Sequence, residues 1–126
     1  IVWNKTFEMS RLREIARDFP EYASRIEPLF DRVVDLMVPF RKKYLYLPEM
    51  HGSYSLKAVL PVLVPELSYA SLEIQEGGSA SMAYEQLYRE EDPDTVLQNR
   101  RDLLEYCKLD TLAMVKILDV LLDIKD

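Results

Sequence analysis

The stretch from Val96 to Ile124 is patterned as one long helix, and one residue in its apolar stripe limits how that helix can be buried. Read at helical period, Leu103, Tyr106, Asp110, Ala113, Ile117 and Val120 share a face, in steps of three and four residues. Every member is apolar or aromatic except Asp110. Burying an unpaired carboxylate is costly, so Asp110 needs a partner, a cap or a metal. An arginine at the edge of the core meets that need as well as a functional site does. A second stripe runs through Leu97, Leu104, Cys107, Thr111, Met114, Leu118 and Leu121. Together the stripes predict a wide buried face packed against more than one neighbour. That arc is too broad for a single coiled-coil seam.

A second acid occupies a comparable place near the start of the chain. Ile1 to Trp3 reads as a strand or the end of one. Thr6 is suited to cap a helix over residues 7–19, which Pro20 stops. The stripe Leu12, Ile15, Ala16 and Phe19, extended back one turn, reaches Glu8. Glu8 is either a first-turn acid favoured by the helix dipole or a site residue.

Composition narrows the classes. A chain of 126 residues, 48% hydrophobic and with three glycines, is one globular domain over 1–126. The lone Cys107 allows no internal disulfide, fits a reducing, cytoplasmic setting, and reads as packing inside the helix. The lone His51, before Gly52 in a turn, excludes the usual His/Cys zinc sets. No apolar run approaches a membrane span, and no signal peptide is visible. A start at Ile1 without methionine suggests a longer parent protein. The net charge of −6 argues against a dedicated nucleic-acid-binding module. It does not exclude a nuclease, whose metal-holding carboxylates are themselves acidic.

Local signals order the elements. Residues 21–30 read as helical, 31–34 as a short strand, and Asp35 as the N-cap of a helix from Leu36 to Lys43 with Pro39 in its first turn. Tyr44 to Leu47 reads as extended and 48–54 as a loop. Ser55 caps a helix through Leu63, which Pro61 shortens or kinks and Pro65 stops. Residues 66–78 read as irregular, with Gly77-Gly78 as a flexible joint. Ser79 or Ser81 opens a helix to about Arg89, and Asp92-Pro93 opens the last one.

In this order the motifs Asn4-Lys5-Thr6-Phe7-Glu8, Val33-Val34-Asp35, Ser55-Leu56-Lys57 and Tyr106-Cys107-Lys108-Leu109-Asp110 resemble those of the DEDD exonucleases, tyrosine subtype, in the RNase H-like superfamily. More closely, the chain resembles an uncharacterised bacterial domain family carrying Gly-Ser-Tyr-Ser-Leu-Lys, here Gly52 to Lys57, and Tyr-Cys-Lys-Leu-Asp-Thr-Leu-Ala-Met, here Tyr106 to Met114. The resemblance implies an α/β but predominantly helical chain: the C-terminal portion of an RNase H-like fold with a small parallel-sheet remnant built from residues 1–3 and 31–34.

The same resemblance implies metal-assisted hydrolysis of nucleic acid, DNA or RNA, from its 3′ end, with Mg²⁺ or Mn²⁺ as cofactor. Glu8 and Asp110 are then metal ligands brought close together, and Tyr106 orients the attacking water. Asn4 holds backbone or substrate and Phe7 packs beneath the site. Tyr44, Tyr46 and Tyr54 are read as amphipathic packing rather than as base-stacking groups. Three departures bear on activity: the family's Asp-x-Glu is absent, Glu8 stands where the family has Asp, and the stretch between the second and last motifs is long. The fragment alone is therefore expected to be inactive. The competing reading is a non-catalytic helical interaction module on a degenerate nuclease fold. An uncovered strand edge at residues 1–3 further predicts a homodimer or a large apolar patch.

Overall fold

The computed structural model describes residues 1–125, and they are predominantly helical. The chain forms two compact units, Ile1–Ala58 and the residues from Val59 on.

In the first unit, α1 spans Lys5–Asp18. Its N-cap is Asn4, not the expected Thr6: Phe7 N donates to Asn4 Oδ1 at 3.1 Å, and Glu8 N to Asn4 O at 3.1 Å. Asn4 is extended and its amide oxygen satisfies a first-turn N–H, so the helix begins before Thr6 is reached. The buried side of α1 centres on Met9, flanked by half-buried Lys5, Glu8, Leu12 and Ala16. Glu8 thus shares a face with Leu12 and Ala16 as predicted. Ile15 and Phe19 instead are 42% and 53% exposed. Ile15 sits at the rim of that face, and Phe19 has left helical geometry as the C-cap.

Residues 20–29 form a 3-10 turn at Pro20–Tyr22, the short helix α2 at Ala23–Ile26, and a second 3-10 turn at Glu27–Leu29. The strand expected at 31–34 does not form. Arg32 N and Val33 N both bond back to Leu29 O, which commits Asp31 and Arg32 to a turn. What remains is one parallel bridge, Val2 to Asp35, made by Val2 N to Val34 O at 2.9 Å and Leu36 N to Val2 O at 2.8 Å. Lys5 Nζ also donates to Val33 O at 2.9 Å. The two segments read as parallel partners therefore meet, but over a single residue pair.

Asp35 accepts from Met37 N at 3.0 Å and lies 3.9 Å from Arg41 Nη2. This side-chain turn delays α3 to Val38–Arg41, three turnless residues short of the predicted start and end combined. Pro39 lies in its first turn, and Lys43, at φ 58°, closes it. Trp3 stacks on Phe40 with centroids 5.5 Å apart, over buried Leu36, Met37 and Met50.

Helix α4, Leu56–Leu63, begins and ends where the sequence places it. Ser55 Oγ accepts from Ala58 N at 3.3 Å, Pro61 is accommodated inside the helix, and Pro65 follows its end. In the second unit, Ser68 accepts from Ala70 N at 3.1 Å and sets a 3-10 turn at Tyr69–Ser71. Helix α5 spans Gly77–Gln86, so Gly77 and Gly78 form its first turn rather than a joint. Helix α6, Pro93–Lys125, runs for 33 residues. Asp92 accepts from Thr95 N at 3.0 Å and Pro93 needs no N–H donor partner at the first position. Helices α5 and α6 pack together.

The first stripe of α6 turns inward as read: Leu103, Tyr106, Asp110 and Val120 are half-buried, and Ala113 and Ile117 are fully buried. The second stripe does so only in its C-terminal half. Leu97 and Leu104 are 48% and 60% exposed, and Cys107, read as packing, is exposed with Thr111. One face of the helix is enough to bury against α5 and the Tyr69 turn, so the wide arc is not used at that end.

This asymmetry predicts unequal costs for two apolar truncations. Ile117→Ala should cost about 2–5 kcal/mol, because it opens a cavity at a fully buried site. Leu104→Ala should change stability by no more than about 0.5 kcal/mol. Urea denaturation of both variants checks this, and equal costs would refute the assignment of the faces.

Candidate functional site

The carboxylate on the α6 stripe meets its requirement for a partner through a tyrosine. Tyr69, 7% exposed, donates its hydroxyl hydrogen to Asp110 Oδ1. Tyr106 lies one turn before Asp110 on the same face, and its ring centroid is 6.0 Å from that of Tyr69 at 50°. The Tyr106 hydroxyl reaches the first turn of α5, where a Cβ on Gly77 would lie 3.7 Å from it. Two phenols and one carboxylate thus converge from α6 and the Tyr69–Ser71 turn, beside the start of α5.

Burial raises both phenols. Tyr106 is pushed from its ordinary value of 10.0 up to about 12, by burial first and then by the charge of Asp110 and a hydrogen bond to it. Tyr69 moves further in the same direction, again by burial first and then by its hydrogen bond to Asp110. Both stay neutral at physiological pH. The same two segments form a cleft of about 330 Å³, lined by Leu67, Ser68, Leu72, Lys108, Leu109 and Leu112 among others.

The remaining sequence-predicted residues lie on α1 or at its start, in the first unit. Glu8 is half-buried in the first turn. Asn4 holds backbone, as the helix cap. Phe7 does not pack beneath anything: it is 56% exposed, with the Arg11 guanidinium 5.5 Å from its ring centre. Tyr44, Tyr46 and Tyr54 are likewise exposed rather than packed, and the Tyr46 hydroxyl accepts from Gly52 N at 3.1 Å. His51 is exposed in a turn, as read.

Tyr69 was not singled out by the sequence. It sits in an irregular stretch without a motif, and it is one of eight tyrosines. The available signal was indirect: a carboxylate on a buried stripe requires a donor from another segment, and a Ser-capped turn is one way to present it.

The oxygen of Asp110 is the kind of ligand that hard divalent cations take. The set around it is short in number, with one carboxylate and two neutral phenols. Among the described residues, no three or more His, Cys, Asp or Glu side chains gather as a metal-binding group.

Residues 1–55 match the sequence profile of DUF2779, a domain of unknown function. The chain is 33% identical over 93 residues to the uncharacterised protein UU173 of Ureaplasma parvum, covering 61% of this chain and 14% of that protein. It is 30% identical over 129 residues to an uncharacterised homologue of MG366 in Mycoplasma pneumoniae, covering 93% of this chain and 19% of that protein. MG366 of Mycoplasma genitalium, also uncharacterised, is 28% identical, with the same coverage of 93% and 19%. The chain therefore spans less than a fifth of each of these relatives. No solved structure matches it.

The raised phenols make a prediction with a definite sign. Unfolded Tyr106 ionises at its ordinary value of 10.0, and the folded form at about 12. The folded state keeps that proton longer, so its stabilising contribution is complete below the unfolded value and is lost as pH rises through the folded one. Phenolate absorbance should therefore show a late-ionising step that Tyr106→Phe removes, and the variant's stability should fall less steeply across that window. An alkaline stability profile identical to wild type would count against the geometry.

Proposed function

We propose that this chain supplies part of the active centre of a metal-dependent 3′–5′ exonuclease of RNase H-like fold, acting on DNA or RNA, and that alone it is inactive. The observation that carries this reading is the Tyr-x-x-x-Asp turn of α6. Tyr106 and Asp110 share one half-buried face, and a buried residue of another segment holds the carboxylate. Asn4, Glu8 and the single parallel bridge at Val2 and Asp35 add support from the order of motifs.

In this reading Glu8 and Asp110 hold Mg²⁺ or Mn²⁺, together with an Asp-x-Glu elsewhere in the complete protein. The bound ions supply charge neutralisation at the phosphate and an activated water. Asp110 contributes a full negative charge on a fixed helix face. Tyr106 orients the attacking water through its hydroxyl. Being neutral, with its pKa raised by burial, it does so by hydrogen bonding and not by taking the proton. Gly77 leaves room beside that hydroxyl, where a side chain would crowd it.

The exposed apolar residues of α6, among them Leu97, Leu104, Val115 and Leu122, favour a second reading, a non-catalytic module that docks a partner. Activity separates the two. With Mn²⁺, the complete protein should release terminal nucleotides from labelled oligonucleotides and stop on addition of EDTA. Asp110→Asn should abolish turnover, since it deletes a ligand charge and keeps the shape. Tyr106→Phe should slow turnover and leave Mn²⁺ binding largely intact. A complete protein inert on both DNA and RNA, or full activity in Asp110→Asn, overturns the catalytic assignment in favour of the docking module.

A further inference from the structure

We propose that Tyr69 is a positioning residue for Asp110: its hydroxyl holds Oδ1 and leaves Oδ2 as the oxygen with which Asp110 meets a divalent cation. The proposal rests on the exonuclease reading and adds to it a residue from outside every motif.

The argument starts from what a carboxylate on an apolar stripe needs. An arginine would satisfy its hydrogen bonds, but it would also cancel the charge a cation requires and fill the approach with its own donors. A phenol satisfies one oxygen, is neutral at neutral pH, and leaves the whole negative charge in place. Tyr69 is that phenol. It is 7% exposed, it is carried on a 3-10 turn fixed by the Ser68 cap at 3.1 Å, and the Tyr106 ring packs against it at 6.0 Å. Asp110 is equally constrained on its side. Ala113 and Ile117, one and two turns on along the same stripe, are fully buried and prevent α6 from rotating the carboxylate away. Donor and acceptor are both held by packing, so the bond fixes which oxygen faces outward. Outer groups of this kind orient metal ligands, and losing one typically costs about 10- to 100-fold in metal affinity or activity. A carboxylate limited to one oxygen also suits the tight octahedral shell of Mg²⁺ better than the larger shell of Ca²⁺, which accepts two.

The test uses the complete protein with Mn²⁺ as the probe. Tyr69→Phe keeps the ring and removes the hydroxyl. It should lower Mn²⁺ affinity by roughly tenfold or more, as read by calorimetry, and lower kcat with little change in KM for the oligonucleotide. The double variant Tyr69→Phe with Asp110→Asn should bind Mn²⁺ no worse than Asp110→Asn alone, because Tyr69 acts through Asp110. Unchanged Mn²⁺ affinity and kcat in a folded Tyr69→Phe protein overturn the inference and leave the exonuclease reading intact. A wild-type protein that neither binds Mn²⁺ nor cleaves DNA or RNA overturns both. If Tyr69→Phe does not fold, fluorotyrosine incorporated at position 69 of the otherwise wild-type protein decides the matter. Its fluorine resonance should broaden on Mn²⁺ addition, and this broadening should vanish with Asp110→Asn; a resonance that Mn²⁺ leaves untouched overturns the inference.

Discussion

A carboxylate on the inward face of a helix has to recover outside its own element the hydrogen bonds it gives up in water. Asp110 recovers one from the Tyr69 hydroxyl, and much of the second unit is arranged around that exchange. The bond spans 41 residues of sequence, so it needs the Tyr69–Ser71 turn to be fixed before it can form. Ser68 fixes that turn locally through Ala70 N. It also needs α6 to present Asp110 in one orientation, and the fully buried Ala113 and Ile117 secure that. Packing supplies the alignment, and alignment is what allows a hydrogen bond to a charged group to contribute more than its modest average.

The same constraint separates what the sequence could reveal from what it could not. Helix α6 was legible because three independent signals agree on it: the Asp92-Pro93 start, its length, and a stripe that recurs over five turns. Helix α4 was legible for the same reason, with a serine cap on one side and a proline on the other. Errors arose where only one signal was present. Thr6 and Asn4 can both cap, and the choice depends on which backbone enters first. The β-branched pair Val33-Val34 suggested a strand, but Leu29 O captures the two preceding N–H groups and shortens the pairing to one bridge. Glycines at 77 and 78 suggested a joint, yet glycine at a helix start costs little and here makes space for Tyr106. Tyr69 was invisible for a different reason: a long-range partner leaves no periodic trace in its own segment.

The two halves of the motif set therefore stand on different footings. Asn4 has a complete local account, since its amide oxygen caps α1, and this would be useful to the fold whatever the protein does. Phe7 is exposed under Arg11, so the apolar position in Asn-x-x-Phe-acid has no packing role within the first unit. Glu8 is half-buried beside Met9 and Leu12, at a place where the helix dipole favours an acid. Tyr106 and Asp110 differ from these. A fold wanting only stability would do better with an apolar residue at position 110, because removing both polar partners and filling the space is often neutral or favourable.

That comparison gives the pair at 69 and 110 its weight. Two neutral phenols around one carboxylate leave a net negative charge at the junction of α6 with the Tyr69 turn, on a chain whose overall charge is already −6. Self-repulsion across such a surface disfavours placing another unneutralised acid on a buried face. A structural role would be served by Asn, which keeps an acceptor for the Tyr69 hydroxyl without the charge, or by Leu opposite Phe. The charge itself adds nothing that the hydrogen bond requires. What an ionised, oriented carboxylate does better than any of these substitutes is meet a cation, and the neutral donor behind it keeps that capacity in place.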